Sequence, residues 1–237
     1  MNIYPLFTTI VAGAFTFSLF KQYQERKKFH QLLWTIAMLF YAIAALMEFL
    51  MNGDIFGPTV WAFKVYYVLS APLVGMLGAG VMYLLVDKKK ADIFTGIIAV
   101  LSLALLVTGF IQPIDQAILV EAFNGPLGEA FHEAIHAYTM DVRKFAIGIN
   151  IIGGTTLILG AIYSFIKDRR RTYNVFFVLG GLFPGLGGTL MGIFGDPNLF
   201  FEFERIGTIF LYAGFVYSDR FIKARDEAIA EILSGDS

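Results

Sequence analysis

The chain has 237 residues, 57% of them hydrophobic and only 16% charged, with 25 Phe, 11 Tyr, a formal net charge of −1 and no Cys. Soluble domains carry about 25% charged residues, and a domain of this size has no interior large enough for so much apolar surface; with a mean hydropathy of +0.67, the composition excludes a water-soluble globule and a disordered chain. The absence of Cys excludes disulfides, thiol catalysis and thiolate metal sites, and the near-neutral charge gives no general attraction to nucleic acid.

A bilayer core of about 30 Å takes about 20 apolar residues as helix. Seven such runs follow one another: Tyr4–Phe20, Gln31–Met51, Val60–Val86, Ile93–Ile111, Phe145–Ile166, Asn174–Gly195 and Ile206–Ile222. A charged or Gly/Pro-containing break separates each from the next. The first run has no basic region ahead of it, so it reads as a retained helix and not as a cleaved signal peptide. In the third run Ala71, Gly75 and Ala79, and in the sixth Gly181/Gly185 and Gly188/Gly192, place small residues four apart. Such stripes let helix backbones approach closely in lipid. Pro72 and Pro184 lie inside the same two runs, where each removes a backbone hydrogen bond and bends its helix. A bend beside a glycine face opens space between helices. Pro72, Gly75, Pro184 and Gly185 are therefore the candidate ligand-binding residues.

The basic residues set the threading. Fourteen of the 18 fall after runs one, three, five and seven; only Lys64, Arg143, Lys144 and Arg205 fall on the other side. By the positive-inside rule the N-terminus is outside and the C-terminus cytoplasmic. The expected fold is an all-α, polytopic bundle of seven transmembrane helices over residues 1–222, with a short cytoplasmic tail, 223–237. Within that end, Ile222–Leu233 reads as a separate short amphipathic helix lying on the membrane or the bundle. Trp61, Tyr66, Tyr67 and Phe200, Phe201, Phe203 suit an outer interfacial belt, and Trp34, Tyr163 and Tyr173 an inner one.

The outer side holds ten acidic residues and two of the three His. Its longest loop, 112–144, joins runs four and five, and loops of that length usually carry structure or function. Here Gly125–Pro126 starts an amphipathic helix, with Leu127, Phe131, Ala134, Ile135, Tyr138, Val142 and Phe145 on the stripe that docks. Glu129, His132, Glu133 and His136 share the opposite stripe, which faces water unless another segment covers it. His132-Glu133-Ala134-Ile135-His136 reads H-E-x-x-H, in which two imidazoles one turn apart hold a zinc ion and the Glu acts as general base on its water. Glu129 would bind the metal or orient a His, and Asp115, Glu121, Glu202 and Glu204 are the candidates for the further ligand. Those five residues resemble the zincin metallopeptidase signature; nothing else in the chain does.

Two cofactors are disfavoured. The layout resembles that of microbial rhodopsins and heptahelical receptors in topology alone, because run seven has no Lys to carry a retinal Schiff base. His132 and His136 on one helix face cannot take opposite sides of one haem. Ionisable residues are nearly missing at mid-depth, and Glu48 and Lys64, near the outer ends of runs two and three, suit a mutual ion pair. The functional expectation is a multi-pass protein of the cell membrane, surrounded by membrane lipids, that binds or passes a small hydrophobic or lipid-like ligand as a receptor, sensor or facilitator. A membrane-bound zinc hydrolase using Glu133 as its catalytic base is the second reading. A subunit of a larger membrane complex, or an oligomer, is the third.

Overall fold

The computed structural model describes residues 3–51, 56–124, 127–167, 169, 172–194 and 198–235, without the side chains of 127–129, 132, 174, 185, 187–189, 191–192, 198, 200, 219 and 221–235. Among them there is no strand. The helices are α1 (Tyr4–Arg26), α2 (Phe29–Leu50), α3 (Val60–Leu85), α4 (Lys88–Ile111), α5 (Gln116–Ala122), α6 (Leu127–Ala134), α7 (Met140–Lys167), α8 (Tyr173–Phe194) and α9 (Asn198–Gly235), with a 3-10 turn at Ile135–Ala137 after α6. Four of them, α2, α3, α4 and α7, are long and apolar enough to cross a membrane.

Six of the long helices close a ring: α1 packs on α2, α2 on α3, α3 on α7, α7 on α8, α8 on α9, and α9 back on α1. α4 stands outside that ring, against α3 and α7. Its outer face presents Ile93, Ile97, Val100, Leu103 and Phe110 to the surroundings, a contiguous apolar strip that water does not tolerate and lipid does. The α3–α7 crossing is the tightest approach. A Cβ added at Gly153 would lie 2.6 Å from the Gly75 Cα, and one at Gly78 would lie 2.5 Å from the Gly153 carbonyl oxygen. Ala71 and Ala79 are buried on the same helix, so the small-residue stripe of the third run serves backbone contact.

The ends of α4 are satisfied by neighbours. At its start the Asp87 carboxylate accepts from the Lys90 backbone N–H at 3.1 Å. At its end the orphan carbonyls of the last turn draw donors from two other elements. Tyr138 Oη donates to the Gly109 carbonyl at 2.7 Å, and Lys64 Nζ donates to those of Phe110 and Gln112 at 2.8 and 2.9 Å. A cation at a helix C-terminus also complements the macrodipole. This corrects the expected Glu48–Lys64 pair, since the ammonium is committed to α4.

The long loop also differs in part from expectation. The apolar stripe docks as expected: Phe131, Ala134, Tyr138 and Val142 are all buried in one cluster with Phe63, Tyr67 and Leu105. The helix itself is broken, however. α6 ends at Ala134, the 3-10 turn follows, and Tyr138 adopts an extended backbone with ψ 144°. That extension carries the Tyr138 ring to α4. At the other end of the chain, α9 runs unbroken from Asn198 to Gly235. The separate amphipathic helix expected at Ile222–Leu233 is instead the continuation of α9, because neither Gly nor Pro interrupts Phe215–Leu233. At 1.5 Å per residue, its 38 residues reach about 57 Å, well beyond a bilayer core of about 30 Å.

Candidate functional site

The interior of the ring holds two carboxyl groups. Glu48 lies on α2 in phase with Met38, Tyr41, Ala44 and Ala45, all of them buried. The helical repeat therefore carries its side chain inward, where it is 2% exposed. Three physical costs attend this position. An ionised carboxylate loses its hydration. It sits in the last turn of α2, at the negative pole of the helix dipole. Its Oε2 has no hydrogen-bond partner among the described residues, although the Tyr66 hydroxyl donates to the carboxyl group.

Glu204 arrives from α9. Phe201, Glu204, Thr208, Leu211 and Phe215 recur at three- and four-residue spacing and are all buried, so this is the inward face of the helix. Thr208 Oγ1 donates to the Glu204 carbonyl at 2.9 Å. Tyr41 Oη and Thr208 Oγ1 also lie in hydrogen-bond contact at 2.7 Å, and either hydroxyl can be the donor. The Tyr41 hydroxyl also lies beside the Glu204 carboxyl, whose Oε2 is buried without a partner among the described residues. The neighbouring Arg205 turns elsewhere: it bonds Glu202 at 3.2 Å and stacks on Tyr4 with 4.8 Å to the ring centroid. Glu48 and Glu204 act on each other electrostatically.

Both groups border a cavity of about 200 Å³ between α2, α3, α7, α8 and α9. Tyr41, Glu48, Tyr66, Ser70 and Glu204 supply its polar lining, and Leu73, Val74, Leu77, Leu157 and Leu211 its apolar walls. Among the described residues no Lys, Arg or His lines it. Along α3 the lining runs from Tyr66 to Leu77, about 16 Å at 1.5 Å per residue. The chamber is thus polar towards one end and hydrocarbon-walled towards the other. Pro184, Gly180 and Gly181 of α8 form part of its wall. Pro184 has no N–H for the Gly180 carbonyl, and that carbonyl faces Gly207 of α9, where an added Cβ would come within 3.1 Å of it. The proline thus frees a backbone group, and a glycine lets α9 close over it.

Of the residues singled out for ligand binding, Pro184 lines the cavity. Pro72 and Gly75 do not: Gly75 faces Ile98 of α4 and Ile149 and Gly153 of α7. The surroundings of Gly185, in α8, lie outside what the structure describes. In the H-E-x-x-H segment, His132 is in α6 and His136 in the 3-10 turn, so the two do not share one α-helical repeat. Glu133 is exposed. His136 Nδ1 accepts from the Arg143 guanidinium at 3.0 Å, which engages that nitrogen. The side chains of Glu129 and His132 lie outside the described residues. Asp115 caps α5, accepting from the Ala117 and Ile118 N–H groups at 2.9 and 3.3 Å, Glu121 is exposed, and Glu202 pairs with Arg205. Among the described residues no three His, Asp or Glu side chains gather in a metal-binding group.

Glu48, expected in an ion pair with Lys64, and Glu204, expected on the outer side, both lie near an end of their helices and are buried there. The available signal was phase: each occupies a core position on its own helix. Tyr66 and Phe201, expected in the interfacial belt, likewise serve the interior, whereas Trp61 remains exposed. No family model, curated protein or solved structure matches this chain.

Proposed function

We propose that the chain is a multi-pass protein of the cell membrane, with seven spans and its N-terminus outside, that binds a small, mostly apolar ligand in the chamber bordered by Glu48 and Glu204. The alternation of basic residues supports the threading, and the lipid-compatible strip of α4 supports the setting. The observation that carries the ligand reading is the chamber itself. Ligand sites are concave, mainly apolar and furnished with a few convergent polar groups, and this chamber combines hydrocarbon walls with two carboxyls and two Tyr. An apolar cavity of about 150 Å³ holds benzene, so one of about 200 Å³ takes a slightly larger molecule. The polar end lies near the start of α3 and α9, so with this threading the ligand would enter from the outer side.

The test uses benzyl alcohol, which matches that size. It is titrated into the full chain in nanodiscs while the methyl NMR signals of Ala44 and Ala45 are followed, both residues bordering the cavity. Saturable shifts of these two methyls, with Ala91 on α4 unmoved, support the reading. Shifts that rise linearly everywhere, as for a solute dissolving in lipid, count against it.

A further inference from the structure

We propose that the chamber is built for an ammonium cation: its ligand carries a protonated amine that sits between the carboxyls of Glu48 and Glu204 and directs its apolar part towards Leu73, Leu77, Leu157 and Leu211. This deepens the ligand-binding reading and rests on it.

Four observations support the cation. Each Glu is more than nine-tenths buried, and each has one oxygen, Oε2, that meets no donor among the described residues. A buried acceptor left unmade is costly, and an N–H⁺ donor removes that cost. Two acidic groups face one chamber whose lining, among the described residues, contains no basic side chain, so a cationic ligand would supply the compensating charge. The rings of Tyr41 and Tyr66 are in the same lining, and aromatic faces attract ammonium groups. Finally, the apolar walls begin where the carboxyls end, which suits a charged head on a hydrocarbon body.

An inorganic ion fits less well. Divalent Ca²⁺ takes six to eight oxygen ligands and Mg²⁺ requires near-octahedral coordination, whereas no group of three metal-ligating side chains exists among the described residues. Hydrocarbon walls add nothing to such coordination. The amine chemistry itself has two sources, a free amine and the head group of an ethanolamine lipid.

The experiment compares benzylammonium with its neutral counterpart benzyl alcohol, both read on the Ala44 and Ala45 methyls in phosphatidylglycerol nanodiscs. Benzylammonium is expected to bind at least about tenfold tighter, the worth of a hydrogen bond to a charged group. Glu48→Gln and Glu204→Gln each remove that advantage, so that the ratio of the two probes' affinities falls to near one. A benzyl alcohol shift that still saturates in either variant shows that the chamber persists. Adding phosphatidylethanolamine separates the sources: shifted methyls and weakened benzylammonium binding assign the amine to lipid, and unchanged binding assigns it to a free molecule. Equal affinity for the two probes, or an advantage that survives both substitutions, overturns the cation while leaving the ligand reading intact. If millimolar CaCl₂ or NaCl reproduces the shifts and displaces benzylammonium, the site belongs to a metal ion and the proposal fails. If neither organic probe moves the methyls, both readings fail together.

Discussion

Replacing Gly153 by Ala asks whether α3 and α7 meet backbone to backbone. The new methyl would lie 2.6 Å from Gly75 Cα, 2.7 Å from the Val74 carbonyl oxygen and 2.8 Å from Gly75 N. All three are main-chain atoms, which cannot rotate aside, and ordinary carbon contacts begin at about 3.5 Å. The helices must therefore separate by roughly 1 Å, and a gap of that size forfeits a quarter to a half of each contact well along the crossing. Overpacking of this kind costs about 1–3 kcal/mol, against a helix-propensity gain of up to about 1 kcal/mol for Gly to Ala. Gly148 provides the control on the same helix, because a Cβ there meets nothing within 4 Å. Only the propensity gain operates at that position. Thermal unfolding in one fixed detergent should place Gly153→Ala below the parent and Gly148→Ala at or above it, a separation of about 1–3 kcal/mol. Equal stabilities for the two variants would refute the close crossing.

Three further outcomes follow from the ends of α4. Lys64→Met removes two donors to the Phe110 and Gln112 carbonyls and should cost about 1–2 kcal/mol, reduced from the full charged-bond value by solvent; in a double-mutant cycle with Glu48→Gln the effects should add, where an ion pair would give a coupling energy. Tyr138→Phe deletes the buried bond to Gly109 and should lower stability by about 1–2 kcal/mol, with faster amide exchange confined to the C-terminal turn of α4 and the 3-10 turn. The Lys90 side chain and backbone N–H beside Asp87 hold its carboxyl below the usual carboxylate range. Its contribution is therefore present above the ordinary carboxylate pKa and lost as pH falls through the lowered folded value; a carboxyl-carbon NMR titration should show that lowered midpoint, and Lys90→Met should return it towards the ordinary one.

The helical class, the apolar runs and the docking stripe of Phe131, Ala134, Tyr138 and Val142 were legible because hydrophobic length and period are local properties. The break after Ala134 was not, because it goes with a bond from Tyr138 to the Gly109 carbonyl on another helix, which no local pattern shows. Lys64 was misassigned for the same reason: proximity in the sequence pattern favoured Glu48, whereas the unmade bonds that attract it belong to another helix end. The candidate site was half legible. Pro184 marked α8 as a cavity wall, but Gly75 faces α4 and α7 and Pro72 is not in the lining, a choice that only packing makes. Glu48 and Glu204 were readable as core positions, Glu48 in step with Met38, Tyr41 and Ala45, and Glu204 in step with Thr208, Leu211 and Phe215. Nothing in the sequence showed that the two steps converge on one chamber.

The most direct measurement is solid-state NMR on the full chain in bilayers, with ¹⁵N-labelled benzylammonium and ¹³C-labelled Glu carboxyls. Dipolar recoupling should connect the ammonium nitrogen to the side-chain carboxyl carbons of both Glu48 and Glu204. Contacts confined to the exposed carboxyls of Glu121 and Glu133, or to none, would contradict a cation-receiving chamber inside the helix ring.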